Sequence, residues 1–205
     1  MNNYGINIWS DDNFVIEDGL AKINHDCKPS LISIVKDIRK QDFKGPLLLR
    51  FPHITEKQIN TLYNTFNASI KEYDYKGNFN AVFPLKVNQL PNFIHPLINE
   101  GKKFNYGLEA GSKAELVIAM TYNNINSPIT VNGFKDKEMI HLGFIAKSMG
   151  HDITLIIEGL NELEMIIEVL NETKMEAPSI GLRVRLHSGG SGLWAKSGGI
   201  NSKFG

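Results

Sequence analysis

Residues 103–134 read KFNYGLEAGSKAELVIAMTYNNINSPITVNGF, and this stretch decides the fold. Apolar residues first follow a strand pattern, then a helical spacing, then a strand pattern again. Ser112 and Glu115 have the S-x-x-E spacing of a capping box, which marks the start of the helix. No hairpin signal joins the two strands, so we expect them to run parallel with the helix as their connection. The three segments are the strand 103–111, the helix 112–123 and the strand 127–134.

The same alternation extends along the chain in both directions. Its short connections favour an α/β fold with a parallel sheet covered by helices, either an open doubly wound sheet or a (β/α)8 barrel. A barrel needs eight units and typically about 250 residues. We therefore expect the chain, which offers six strands, to be a piece of a longer protein. The predicted strands are 45–52, 80–89, 103–111, 127–134, 151–159 and 178–188, and the predicted helices between them are 55–73, 91–101, 112–123, 135–150 and 161–173.

The amino-terminal part of the chain has a different pattern. Residues 1–44 are expected to form an extension with short strand fragments, turns and one helix that starts after Ser30. The alternation begins at residue 45, so the domain prediction is an extension over 1–44 and an incomplete barrel over 45–205.

Composition and charge exclude several classes of protein. Lys and Arg together number 22, as do Asp and Glu, so the basic excess that nucleic-acid binding needs is missing. No apolar run approaches the roughly 20 residues of a membrane span, and the amino terminus lacks the order of a signal peptide. Cys27 is the single cysteine, which fits a reducing compartment. We expect a cytoplasmic protein without nucleic-acid or membrane partners.

Polar side chains recur where the predicted strands end. In a parallel barrel these ends meet at one face, where active sites lie. The set either forms a site for an anionic, polar ligand or consists of side chains that simply meet solvent, and the residues alone leave both possibilities open. Its members are Arg50, Lys86, Glu109, Asn132, Glu158, Arg183 and Arg185.

Lys86 interrupts the apolar segment AVFPLKVNQ (81–89). Apolar surroundings disfavour the charged form of a lysine and free its amine as a nucleophile, as Schiff-base chemistry requires. Alternatively, the side chain reaches solvent from the sheet edge. The six histidines show neither H-x3-H nor H-E-x-x-H spacing, so no catalytic zinc is expected. The loop SGGSG (188–192) is expected to be mobile over the site.

Three segments resemble the biosynthetic arginine decarboxylases. They are AVFPLKVNQ (81–89), YGLEAGSKAEL (106–116) and SGGSGLWAKSGGINSKFG (188–205), and YGINIWSDDNFVIEDG (4–19) resembles the opening of the same family. These are bacterial pyridoxal-phosphate enzymes of the alanine-racemase-like, fold-type III class, related to ornithine and diaminopimelate decarboxylases. The resemblance covers essentially the whole chain. It implies a (β/α)8 TIM barrel, present here as roughly its first six strands, with a β-rich second domain beyond residue 205.

The resemblance also implies roles for particular residues. Lys86 would carry pyridoxal phosphate as a Schiff base. Glu109 and Ala110 would line the cofactor site, and Arg183 would lie near the cofactor ring. Lys203 would end the mobile active-site loop.

The activity that the resemblance implies is decarboxylation of L-arginine to agmatine and carbon dioxide in putrescine and spermidine biosynthesis. It further implies Mg²⁺ dependence, although no metal-ligand cluster stands out in the sequence, and a homodimer or homotetramer with shared active sites. Other readings remain: a decarboxylase of diaminopimelate or ornithine, a non-catalytic pyridoxal-phosphate carrier, and a barrel with a sugar-phosphate substrate. The SGGSGLW loop and the amino-terminal extension argue against the carrier.

Overall fold

The computed structural model describes residues 5–184, together with residues 188, 192 and 199. The chain divides after Ile54 into two compact units. The first unit contains α1 (Ile6–Trp9), β1 (Phe14–Glu17), β2 (Leu20–Ile23) and α2 (Leu31–Lys40). The sequence analysis predicted a domain boundary after residue 44. This boundary concerns the domains of the whole protein and stays a prediction.

The first unit is built on a hairpin that the sequence analysis missed. β1 and β2 pair antiparallel, joined by Asp18 and Gly19. Both turn residues have positive φ, 55° and 73°, as a type I′ turn requires, and Asp-Gly is the sequence signal for that turn. Helix α2 begins as predicted, since the Ser30 Oγ accepts a hydrogen bond from the Ser33 N–H at 3.1 Å.

The second unit contains the alternation of strands and helices. Its elements are α3 (Pro52–Glu72, of which Pro52–Ile54 fall in the first unit), β3 (Val82–Pro84), α4 (Pro91–Gly101), a 3-10 turn (Lys102–Phe104), β4 (Gly107–Ala110), α5 (Lys113–Tyr122), β5 (Ile129–Val131), α6 (Lys137–Ser148), β6 (Ile153–Ile157), α7 (Leu160–Thr173) and β7 (Ser179–Leu182). None of the helices in the described part of the chain is both long and apolar enough to cross a membrane.

The five strands β3 to β7 form one parallel sheet in the order of the sequence. A doubly wound sheet reverses its strand order at a switch point, and this sheet does not reverse within the described residues. Strands that are added successively on one side are the pattern of a (β/α) barrel. The prediction of an α/β fold with part of a barrel is therefore confirmed.

The predicted strand at residues 45–52 is wrong. These residues belong to no strand, and Pro52 instead begins α3. Pro46 and Pro52 have no backbone N–H, so the segment has fewer donors for a sheet ladder. Within the described residues the sheet therefore has five strands, one fewer than the six predicted.

The two faces of the sheet differ because successive residues of a strand point to opposite sides. In β4, Leu108 and Ala110 are fully buried in the hydrophobic core, and Glu109 between them points to the other face. Helices α5 and α6 pack against β4 and β6, and α7 packs against α6. Burying one such leucine stabilises the fold by about 1.5–3 kcal/mol. The helices thus cover one face and leave the other for a site.

His151 is a buried titratable group that precedes β6. Its side chain is enclosed, and its Nδ1 finds no hydrogen-bond partner among the described residues. Burial lowers the pKa of His151 below the usual 6.5, and a hydrogen bond with the backbone of Met120 offsets this only in part. Folding therefore favours the neutral ring.

We expect this burial to make stability depend on pH. The unfolded chain binds a proton at His151 near pH 6.5 and the folded protein only below that, so stability falls as pH decreases from 6.5 through the lowered pKa. In melting experiments between pH 7.5 and 5.5, His151→Gln should flatten the decrease in Tm. His141→Gln, at an exposed position on α6, should retain it. An equal slope in both variants would contradict the prediction.

Candidate active site

A cleft of about 660 Å³ lies at the carboxyl ends of the strands. This volume is in the range of pockets that bind small molecules. The side chains that line it come from the uncovered face of the sheet and from the loops that follow β3, β5 and β7. They include Lys86, Glu109, Thr130, Asn132, Gly133 and Arg183.

Lys86 lies in the turn after β3. The strand ends at Pro84, whose carbonyl accepts a hydrogen bond from the Val87 N–H at 3.0 Å. Leu85 is fully buried, whereas the side chain of Lys86 is 71% exposed. The predicted strand 80–89 therefore ends earlier than expected, at Pro84. Lys86 follows this strand end, and the turn points the leucine into the core and the lysine into the cleft.

Among the described residues, Glu109 places its carboxylate beside the Lys86 amine. The Lys86 Nζ and the Glu109 Oε1 are 3.8 Å apart. Exposed ion pairs of this kind contribute only about 0–1 kcal/mol, so the amine can leave the carboxylate at little cost. Ala110, the next residue, is buried on the helix side and does not line the cleft. It contributes its carbonyl, which accepts a hydrogen bond from the Asn132 N–H at 2.9 Å.

Glu158 joins two sides of the cleft. Its Oε1 accepts hydrogen bonds from the Gly133 N–H at 2.8 Å and from the Arg183 Nη1 at 2.9 Å. Gly133 has φ 83°, a left-handed conformation that glycine adopts without steric cost. The guanidinium of Arg183 has five N–H donors, and the described contacts use one of them. Arg183 can therefore also bind an anionic group in the cleft.

A buried ion pair behind the cleft was missed by the sequence analysis. The side chains of Lys135 and Glu162 are 0% and 2% exposed, and their Nζ and Oε2 atoms are 2.8 Å apart. Burial raises the pKa of Glu162, but hydrogen bonds from the Lys135 side chain and from the backbone N–H groups of Glu158 and Lys135 outweigh it, so the pKa lies below its usual value. The carboxylate is therefore ionised near neutral pH.

Two helices brace the preceding strand ends with a carboxylate from their first turn. In α5 the Ser112 Oγ caps the helix as predicted, accepting from the Glu115 N–H at 3.3 Å. The Glu115 Oε2 in turn accepts from the Gly111 N–H at 2.7 Å. In α7 the Glu162 Oε2 accepts from the Glu158 N–H at 3.0 Å. Each carboxylate therefore satisfies a backbone donor where the strand passes into the helix.

The remaining predicted residues belong to the first unit or lie outside the described residues. Arg50 belongs to the first unit and to no strand. Arg185 and Lys203 lie outside the described residues, as does most of the glycine-rich segment that was expected to be mobile. In the described part of the chain, no group of three or more His, Cys, Asp or Glu side chains could hold a metal ion.

A family model matches residues 57–205 of the chain. The family is described as pyridoxal-dependent decarboxylase, pyridoxal binding domain. The match contains the whole parallel sheet and every residue of the cleft.

Curated relatives match over the whole chain. The biosynthetic arginine decarboxylase of Prochlorococcus marinus is 38% identical over 211 residues, which cover 100% of this chain and 32% of the relative. That of Bacteroides thetaiotaomicron is 38% identical over 207 residues, which cover 98% and 33%. The chain thus spans about a third of the length of the curated relatives it matches.

Solved structures share the fold. The biosynthetic arginine decarboxylase of Campylobacter jejuni is 60% identical with a TM-score of 0.88, over 91% of this chain and 32% of that one. The diaminopimelate decarboxylase of M. jannaschi is 25% identical with a TM-score of 0.62, over 85% and 36%.

The chemistry of the cleft fits pyridoxal phosphate. Lys86 offers an amine that can bond to an aldehyde, Arg183 offers N–H donors for an anionic group, and the cleft has the volume of a cofactor site. Family match and geometry therefore agree on the cofactor that the resemblance implied. The chain belongs to the pyridoxal-dependent decarboxylases, and residues 57–205 are their pyridoxal-binding domain.

Proposed function

We propose that the whole protein decarboxylates L-arginine to agmatine and carbon dioxide and so supplies putrescine and spermidine synthesis. The observation that carries this proposal is the 60% identity, over 91% of the chain, to the biosynthetic arginine decarboxylase of Campylobacter jejuni. Diaminopimelate is the second candidate substrate, because a diaminopimelate decarboxylase shares the fold at 25% identity.

Lys86 is the proposed attachment site of the cofactor. Pyridoxal phosphate, when bound, supplies the electron sink that loss of carbon dioxide from an amino acid needs. The amine of Lys86 stands in the cleft on a mobile four-carbon stem, where it can act as the nucleophile toward the aldehyde. It must release a proton to do so, and the Glu109 Oε1, 3.8 Å away, is a carboxylate oxygen in position to accept it.

Arg183 and Asn132 are the proposed orienting groups. The guanidinium of Arg183 can bind a carboxylate or phosphate oxygen through the donors that Glu158 leaves free. Asn132 lines the same wall and can donate or accept a hydrogen bond. Ala110 acts in this scheme through its backbone carbonyl, which holds Asn132.

The remaining features of the proposal concern the whole protein. We propose a cytoplasmic homodimer or homotetramer with shared active sites. Lys203 is proposed to lie in an active-site loop, and dependence on Mg²⁺ stays a prediction.

Release of carbon dioxide tests the proposed substrate. The purified whole protein, loaded with pyridoxal phosphate, should turn over arginine with a kcat/KM at least about 100-fold higher than that for ornithine or diaminopimelate, because a site built for a guanidinium leaves polar groups unpaired around other side chains. Agmatine should appear in equal amount. Faster turnover of diaminopimelate or ornithine would contradict the substrate, and cofactor binding without any turnover would favour the carrier.

A further inference from the structure

We propose that the buried pair Lys135 and Glu162 is a positioning device for the cofactor cleft. Together with Gly133 and Glu158 it forms a closed set of contacts, which we call the strand-end ring. Through Glu158 this ring sets the place of the Arg183 guanidinium. The inference rests on the proposed function for the role of Arg183 but concerns Lys135 and Glu162, which do not line the cleft.

The ammonium of Lys135 fixes two cleft-lining strands at once. Its Nζ donates hydrogen bonds to the carbonyl oxygens of Gly133, at 2.6 Å, and Ile156, at 2.5 Å. Its third partner is the Glu162 Oε2 at 2.8 Å. An ammonium has three donors, so all of them are used. Gly133 follows β5 and Ile156 lies in β6, so a single charge links the backbones of two neighbouring strands.

Glu162 completes the ring from the helix side. Its Oε1 accepts from the Lys135 N–H at 2.9 Å, and its Oε2 accepts from the Glu158 N–H at 3.0 Å. The side chain of Glu158 then returns to the Gly133 N–H at 2.8 Å and to Arg183 at 2.9 Å. The position of the guanidinium is therefore determined by a chain of contacts that begins in the buried pair.

Burial explains why an ion pair serves this purpose. Both side chains are removed from water. Buried ion pairs are often no more stabilising than apolar residues of the same volume. A gain in stability is therefore a weak explanation for the presence of this pair. The pair makes four directional contacts to backbone atoms, which an apolar pair could not supply. A misplacement of about 1 Å in an active site can lower the rate about 100-fold. We therefore assign to the pair the role of orienting the loops that follow β5 and β6.

Cofactor affinity tests this role apart from activity. In the whole protein, Glu162→Gln keeps the shape and an acceptor but removes the charge. We expect its dissociation constant for pyridoxal phosphate, measured by equilibrium titration well below the Tm, to rise at least about tenfold. Val169→Ala is the matched control, since Val169 is buried on the same helix and lines no part of the cleft. It should also lower the Tm but keep its affinity within about twofold.

A double-variant comparison tests the route through Glu158. If Glu162 acts on the cleft through Glu158, then Glu158→Gln combined with Glu162→Gln should bind pyridoxal phosphate about as weakly as Glu158→Gln alone. The proposal would be overturned if the losses of affinity in the two single variants multiplied in the double variant. It would also be overturned if Glu162→Gln bound pyridoxal phosphate as tightly as Val169→Ala. If Glu162→Gln does not fold, Lys135→Arg replaces it in the test, because it retains the charge balance but has a different donor geometry. Lys135→Arg should then show the same loss of affinity for pyridoxal phosphate. An unchanged affinity of Lys135→Arg would overturn the proposal.

Failure of the proposed function would look different. A wild-type protein that binds pyridoxal phosphate but releases no carbon dioxide from arginine would contradict the substrate. The affinities of the variants would still decide the role of the strand-end ring.

Discussion

Replacing Lys86 with alanine in the whole protein is expected to abolish covalent attachment of pyridoxal phosphate. The turnover number for arginine should fall at least about 10⁴-fold, as it does when other enzymes lose a covalent catalytic group. The reason is that Lys86 supplies the amine in the cleft. The measurement is borohydride reduction followed by denaturation and mass spectrometry, in which the wild type should keep the added mass and Lys86→Ala should lose it.

Lys103→Ala provides the control for this experiment. Lys103 is also a partly exposed lysine, with 48% of its side chain accessible and Glu100 as its partner at 3.2 Å, but it precedes β4 and so lies at the other end of that strand. This variant should retain attachment and turnover. Covalently bound cofactor in Lys86→Ala would show that another amine carries it and would refute the central role given to Lys86.

Replacing Lys135 with methionine is expected to give a large loss of stability. Removal of one partner from a buried ion pair leaves an uncompensated charge, which typically costs about 3–5 kcal/mol in the free energy of unfolding. Here the stranded group would be the carboxylate of Glu162, 2% exposed. The loss should appear as a lower urea midpoint by circular dichroism. Lys135→Met combined with Glu162→Gln should recover part of it, because the unpaired charge is gone while the amide oxygen can still accept from one of the two backbone N–H groups.

Lys137→Met is the matched control for the buried pair. Lys137 lies two residues further along, on α6, and also reaches α7, where it pairs with Glu168 at 3.3 Å and Glu172 at 2.6 Å. Its side chain is 43% exposed, so its removal should cost only about 0–1 kcal/mol. Equal losses in the free energy of unfolding for Lys135→Met and Lys137→Met would show that burial of the Lys135–Glu162 pair does not increase the cost of breaking it.

The parts of the fold that could be predicted depend on local patterns. Helix α5 and its cap at Ser112 follow from hydrophobic spacing and a side chain that bonds within its own turn. The segment at 45–52 is equally apolar, but a strand also needs a partner at the right register, and nothing in eight residues specifies one. The hairpin at Asp18 and Gly19 could have been predicted, since the Asp-Gly dipeptide is itself the sequence signal for a type I′ turn.

The candidate site divides in the same way. Glu109 was predicted from its place at a strand end, and strand alternation turns its side chain toward the cleft. Lys86 was assigned to a strand because the apolar run continues past Pro84, whereas the chain turns there. Lys135 and Glu162 are 27 positions apart, and each reads as an ordinary surface charge near the start of a helix. Only the packing of β5 and β6 brings them together, and no local pattern contains that information.

The braces of Glu115 and Glu162 have a consequence for how such a site can change over evolutionary time. Both carboxylates hold a loop from the first turn of the helix behind it, so they use no position on the cleft wall. Side chains that face the cleft, such as Asn132, can then be exchanged while the backbone around them keeps its course. A barrel with this separation of scaffold from contact surface can acquire a preference for a different amino acid through a few substitutions, without rebuilding its loops.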